Sequence, residues 1–286
     1  MCIRDRFCAG DPDQALASYR QALILQPNSS RAILGLADNF YAAGNYSQSL
    51  YYYRQAGEVD PDSIRGYIGQ GNSLCAMQQY NQSLPIFDRA LALDPKNREA
   101  LLGKGLALAA AQENLSAALE CFRGLVAADP HSYAAYSNLG SLQAAMGDYD
   151  DAAESLEAAC RINASVGDLW HNLATIYYRS GRYSQSAEAF KKATDLNGED
   201  ASAWIGLGLA QNLSGMPDEA MKSFERAITI DPRNKDAHYN LGLALAGLDR
   251  SKEALEAFER VLEIDPEEPL TRYAANLTLS RMKGAA

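Results

Sequence analysis

Three recurrences along this chain of 286 residues predict an all-α solenoid of about eight 34-residue helix–turn–helix repeats. Prolines return at a fixed interval: Pro27, Pro61 and Pro95 lie 34 residues apart, as do Pro232 and Pro266, while Pro130 follows Pro95 by 35. The 102 residues from Pro130 to Pro232 hold three more steps of 34, with Ala164 and Gly198 in the proline's place. Small residues and bulky residues recur at fixed offsets within the same period. A period of this length marks hairpins that bury their apolar faces against their neighbours.

Numbering the repeat so that the proline is position 32 aligns the copies. Position 8 reads Ala37, Gly71, Gly105, Gly140, Ala174, Gly208, Gly242, always small. Position 20 is Ala or Ser throughout, from Ala15 to Ala254. Position 24 is always large and apolar: Tyr19, Tyr53, Phe87, Phe122, Leu156, Phe190, Phe224, Phe258. Position 4 is bulky: Ile33, Tyr67, Leu101, Tyr136, Trp170, Trp204, His238. Small residues at 8 and 20 allow two helices to approach closely, and the large side chains at 4 and 24 fill the space beside them. Gly44, Gly147, Gly181 and Gly215 fall at position 15, where the first helix ends and a positive φ is needed. The proline stops the second helix. Two departures stand out. Position 7 is Gln70 and Lys104 in two repeats, whose long stems are expected to pack while their heads reach water. One extra residue near Gln112–Asn114 is expected to bulge a turn.

The run Ala201–Asp231, with Trp204, Leu207, Gly208, Ala220, Phe224 and Ala227 followed by Pro232, closely resembles the tetratricopeptide repeat signature. The resemblance extends over roughly residues 10–283 and implies a right-handed superhelix whose first helices line a concave groove.

The elements follow in order. Met1–Arg6 reads MCIRDR, which resembles a translated sequencing adapter, so 1–6 are expected to be adapter-derived. Residues 7–29 read as a truncated first repeat that starts at position 15, with Phe7–Ala9 as the remnant of its first helix. Residues 30–267 read as seven full repeats. Residues 268–286 keep the register through Tyr273, Asn276 and Leu279, as a capping helix or the start of a further repeat.

Composition narrows the function. Net charge is −10, with 11 Lys and Arg against 13 Asp and Glu in residues 1–143, and 15 against 23 in residues 144–286. Such an acidic chain repels phosphate backbones, which argues against nucleic acid as a partner. No apolar run is long enough to span a bilayer. Cys75, Cys121 and Cys160 lack C-x-x-C spacing and read as buried free thiols. Seven N-x-S/T sites occur, at Asn28, Asn45, Asn81, Asn114, Asn163, Asn212 and Asn276, where composition alone gives roughly one or two. They leave an extracytoplasmic location open beside a slightly favoured cytoplasmic one. Helix capping by Asn and Ser is the competing explanation.

Catalytic signals are thin. His131, His171 and His238 share no helix at metal-ligand spacing, no nucleotide fingerprint or nucleophile elbow occurs, and no cofactor or metal is implied. The expectation is a non-enzymatic scaffold that holds an extended peptide or a partner helix. Two alternatives stay open: the substrate-recruiting arm of a larger enzyme such as a glycosyltransferase, and a cell-envelope assembly component.

The resemblance implies that positions 2, 5, 6, 9, 12 and 13 face the groove. Position 6 carries Asn138, Asn172 and Asn240, similar to the asparagine ladder of O-linked N-acetylglucosamine transferase, in which side-chain amides grip a peptide backbone. An amide suits this because it donates and accepts at once. The other peptide-binding candidates are Arg31, Arg65, Tyr41, His171, Tyr178, Arg179 and Tyr239, with Leu102, Leu106 and Ala109 as an apolar lining. The Lys at position 5 used by relatives that clamp a C-terminal carboxylate does not occur.

Overall fold

The computed structural model describes residues 12–112 and 114–284; the adapter-like residues and the expected helix remnant lie outside them. Sixteen helices make up the described residues. They are α1 (Pro12–Leu25), α2 (Ser30–Ala42), α3 (Tyr46–Val59), α4 (Ile64–Ala76), α5 (Tyr80–Leu93), α6 (Arg98–Ala111), α7 (Leu115–Ala128) and α8 (Tyr133–Met146). Then come α9 (Tyr149–Ile162), α10 (Gly167–Arg179), α11 (Tyr183–Leu196), α12 (Ala201–Leu213), α13 (Pro217–Ile230), α14 (Lys235–Gly247), α15 (Ser251–Ile264) and α16 (Pro269–Gly284). Helices of even number are first helices of the repeat and those of odd number are second helices. The chain forms two compact units, residues 1–142 and 143–286. Consecutive helices pack on one another from α1 to α7 and from α9 to α16, and successive first helices also touch: α2 with α4 and α4 with α6 in the first unit, α10 with α12, α12 with α14 and α14 with α16 in the second. The fold is the all-α solenoid of helix hairpins that the period predicts.

The turn inside each hairpin depends on one left-handed residue. Position 15 takes a positive φ at Gly44, Gly147, Gly181 and Gly215, but also at Gln78, Gln112 and Asp249. The geometry belongs to the position, and glycine is only its least strained occupant. At the extra residue, Gln112 (φ 55°) ends α6 and Asn114 caps α7 by accepting from Ala117 N at 2.9 Å. Asn45 caps α3 in the same way, and Asn163 accepts from both Ser165 N and Ser165 Oγ, so three of the seven N-x-S/T asparagines hold turns.

The turn between repeats is fastened by position 4. Trp170 Nε1 donates to Ala164 O at 2.9 Å, Trp204 Nε1 to Gly198 O at 3.0 Å, and Tyr67 OH to Pro61 O at 2.9 Å. His238 Nε2 lies 3.0 Å from Pro232 O, so that nitrogen carries the proton, and Arg272 reaches Pro266 O. Tyr, Trp, His and Arg thus do one job. Each has an apolar body that packs and a polar tip that satisfies the carbonyl at position 32.

The packing of position 24 follows a rule. Each ring lies between position 8 of its own repeat and position 6 of the next, and it presses on whichever of the two is glycine. A Cβ on Gly69 would come 2.3 Å from Tyr53, whose own position 8 is Ala37. Phe190 likewise presses on Gly206, 2.4 Å from where a Cβ would sit, since its own position 8 is Ala174. Phe122, Phe224 and Phe258 lean the other way, onto Gly105, Gly208 and Gly242. Phe87 meets glycine on both sides, Gly71 and Gly103. The rings of Phe87, Phe122, Phe224 and Phe258 are almost fully buried, each worth roughly 1.5–3 kcal/mol of transfer free energy. Where position 8 is Ala, position 20 is Ser, and its hydroxyl bonds across the hairpin: Ser49 Oγ to Ala37 O at 2.9 Å and Ser186 Oγ to Ala174 O at 2.8 Å.

The two departures at position 7 resolve differently. Lys104 Nζ pairs with Asp88 at 2.6 Å at a half-exposed site. Gln70 does not reach water as expected: its amide is buried and donates to Tyr53 O at 3.2 Å, which satisfies it inside the core.

Candidate functional site

Every candidate residue sits on a first helix. In the first unit, Arg31 and Tyr41 lie on α2 and Arg65 on α4. Arg31 is exposed. Tyr41 meets Tyr46 edge-on, with centroids 5.3 Å apart. Arg65 is exposed, yet its guanidinium pairs with the carboxylate of Asp38, whose other oxygen accepts from Tyr53 OH at 2.5 Å. Burial first, and the Asp38 bond second, push the Tyr53 phenol up, so it stays a donor. Asp38 therefore ties position 24 of its own repeat to position 2 of the next, and Arg65 is already half committed within the chain. Leu106 is exposed on α6, while Leu102 and Ala109 are half-buried. Asn138, on α8, is half-buried and makes no side-chain hydrogen bond among the described residues.

In the second unit, α10 carries His171, Asn172, Tyr178 and Arg179, and α14 carries Tyr239 and Asn240, with α12 between them and touching both. His171 Nδ1 stands 3.5 Å from Asp200 Oδ2, and its ring meets Phe190 edge-on at 5.4 Å. Asp200 also caps α12, accepting from Ser202 N, Ala203 N and Ser202 Oγ. Burial acts to raise the Asp200 carboxyl, but these hydrogen bonds and the nearby His171 outweigh it and hold the group below its ordinary value. Tyr178 packs on Tyr183 at 5.5 Å and Tyr239 on Phe258 at 6.0 Å. Arg179 is exposed.

The asparagines are not equivalent. Asn172 is exposed and, like Asn138, makes no side-chain hydrogen bond among the described residues. Asn240 is half-buried and donates from Nδ2 to Asp236 O at 2.8 Å, one turn back on its own helix. All three occupy the position that elsewhere receives a ring from the preceding repeat. For Asn138 and Asn240 that ring is Phe122 or Phe224, which leans instead onto its own Gly105 or Gly208, leaving room for a side chain at position 6.

Among the described residues, no group of three His, Cys, Asp or Glu side chains could hold a metal ion, and no helix is long and apolar enough to cross a membrane. Burial pushes the thiols of Cys75 and Cys121 up and that of Cys160 to about 11, so at neutral pH they are protonated and weakly nucleophilic.

Models described as tetratricopeptide repeat match residues 68–113, 108–166 and 171–235, and a second such model matches 8–68 and 212–277. The chain is a tetratricopeptide repeat protein. None of the curated proteins matches it. Among solved structures, this tetratricopeptide repeat protein resembles MamA at 25% identity and a TM-score of 0.53, over 55% of this chain and 92% of MamA. The C-terminal part of a repeat-containing protein from Cytophaga hutchinsonii gives a TM-score of 0.73 at 17% identity, over 83% and 97% of the two chains. A chain of the APC/C hetero-tetramer Cut9–Hcn1 gives 0.55 at 17% identity, over 96% of this chain and 54% of that one. These likenesses show the fold. As a tetratricopeptide repeat protein, the chain is of the kind that serves as a scaffold for protein interaction.

The candidates lie on first helices, where the repeat register puts them. Beyond Tyr239, sequence reasoning missed the exposed apolar side chains at position 9 of first helices in the second unit, Leu243 on α14 and Leu277 on α16. The 34-residue spacing alone could have found them.

Proposed function

We propose that this protein is a scaffold without catalysis of its own, which holds a peptide or partner helix on the face formed by its first helices. One observation carries the reading. Asn138 in the first unit and Asn172 in the second each hold, at the same repeat position, an amide that makes no side-chain hydrogen bond among the described residues. An amide so placed can donate to and accept from a peptide unit of a bound segment. The test selects peptides by display against the whole chain and compares their affinity for the wild type and the variants. Asn138→Ala and Asn172→Ala should each cost ~0.5–1.5 kcal/mol of binding. Asn240→Ala should cost less, because Asn240 already spends its donor on Asp236. Equal affinity for all three variants and the wild type removes the asparagines from the site.

A further inference from the structure

We infer that the groove between two second helices of the second unit, α13 and α15, binds an alkyl cation: an ammonium or guanidinium group carried on an aliphatic stem. The site lies off the first-helix face and does not depend on the scaffold reading. A cavity of about 540 Å³ opens there over α14. Because α13 also packs on α12 and α15 on α16, the groove is interior to the run of helices. Ile228, Leu241, Leu245 and Ala257 give it an apolar floor. Five glutamates and two arginines line the rest, a net charge of −3. Both arginines are already spent on acids one turn along: Arg250 pairs with Glu253, and Arg260 with Glu263 at 2.7 Å. Glu225, Glu256 and Glu259 have no ion pair among the described residues.

The buried part of the cavity adds an unused acceptor. His238 lines it and is only 9% exposed; its Nε2 is committed to Pro232 O, and its Nδ1 has no partner among the described residues. A buried lone pair without a donor costs free energy. An ammonium or guanidinium carries donors only, so one such group can bond Nδ1 and the carboxylates together, with its stem on the apolar floor.

Other repeats show what fits this place. Position 26 of the second helix is Arg or Lys wherever position 4 is Tyr, Trp or His, apart from Ala158 opposite Tyr136. Two of these cations lie on the position 4 ring of their own hairpin. Arg89 Cζ is 4.7 Å from the centre of the Tyr67 ring, and Lys192 Nζ is 4.0 Å from that of Trp170. The groove over Trp170, between α9 and α11, is lined by Glu157 and Glu188 against Arg161 and Lys192, so the chain balances and fills it itself. At His238 the corresponding residue is Arg260, whose guanidinium pairs with Glu263 instead. The groove stays acidic, and a cation from outside takes the place that Lys192 holds in the upstream one.

The experiment follows the ring C–H signals of His131, His171 and His238 by NMR while the full chain is titrated with methylammonium, n-pentylammonium, spermidine or the capped tripeptide Gly-Lys-Gly. Saturable shifts of His238 alone are expected, with n-pentylammonium roughly tenfold tighter than methylammonium, as about two buried methylenes would give. A tighter tripeptide assigns the cation to a partner's lysine, a tighter spermidine to a free amine. The triple variant Glu225→Gln, Glu256→Gln, Glu259→Gln should weaken binding at least tenfold with thermal unfolding unchanged, because all three side chains are exposed. Glu154→Gln, Asp195→Asn, Glu219→Gln removes the same charge elsewhere in the unit and should leave binding as in the wild type. Equal affinity for methylammonium and n-pentylammonium, or an equal loss in both triple variants, means screening of the net charge only and overturns the inference. So does a His238 signal that no probe moves, an outcome that leaves the asparagine reading in place.

Discussion

Phe190 presses on Gly206 across the boundary between two repeats, at a distance where even a methyl group on Gly206 would overlap the ring. The ring has nowhere else to go, because Ala174 blocks the opposite side within its own hairpin. Gly206→Ala should therefore destabilise the protein by ~1–3 kcal/mol, although alanine is the better helix former by ~1 kcal/mol. Gly247→Ala, with open space around it, should be neutral or stabilising. Adding Phe190→Leu to Gly206→Ala should recover part of the loss, since the smaller side chain vacates the overlap. Chemical unfolding of the three variants beside the wild type checks the set; equal midpoints for Gly206→Ala and Gly247→Ala would show that the ring does not depend on the glycine.

Trp204 has two roles that substitution can separate. Trp204→Phe keeps most of the bulk but loses the bond to Gly198 O, and should cost ~0.5–1.5 kcal/mol. Trp204→Ala also leaves a cavity and should cost ~3–5 kcal/mol. If Trp204→Phe matches the wild type in urea unfolding, the indole N–H contributes nothing to the turn.

Gln78 and Asp249 hold positive φ at the position where four other repeats have glycine. Gln78→Gly and Asp249→Gly should each raise stability by ~0.5–1 kcal/mol, because relief of left-handed strain, worth roughly 1–2 kcal/mol, exceeds the added chain entropy of glycine. A rise in melting temperature for both is the expected reading, and a fall in either would contradict the strain.

Asp200 makes stability depend on pH. Its carboxyl is held below the ordinary value, so the ionised form is favoured in the folded state. The stabilisation is complete above the unfolded carboxyl pKa of about 3.9 and is lost as pH falls through the lower, folded value. Asp200→Asn should therefore lower stability at neutral pH, with the difference from the wild type shrinking on acidification below pH ~4. Urea midpoints measured from pH 7 down to 3 follow it; a constant gap would place the effect in the cap's shape rather than its charge.

The repeat length, the small residues at positions 8 and 20 and the large one at 24 were legible because each is a property of single columns. The sense in which a ring leans was not, because it depends on two columns in different repeats, position 8 of one and position 6 of the next. Position 4 showed as bulky, but its bond to the carbonyl at position 32 is invisible when Tyr, Trp, His and Arg are read by size alone. Glycine at position 15 predicted the turns at Gly44 and Gly181; the same backbone at Gln78 and Asp249 escaped because composition there gives no sign of it. Among the candidate site residues, helix and register followed from the period. That Asn240 bonds to Asp236 and that Arg65 pairs with Asp38 depends on rotamers, which the sequence does not encode locally.

The sharing of a ring between neighbours limits how such a chain can be rearranged by recombination. Tyr53 and Phe190 find their only glycine in the repeat that follows, so those hairpins cannot be moved or shuffled without their downstream companion, whereas the ones carrying Phe122, Phe224 and Phe258 bring their own. An array that lengthens by duplication should copy the first sort in pairs and can copy the second sort singly.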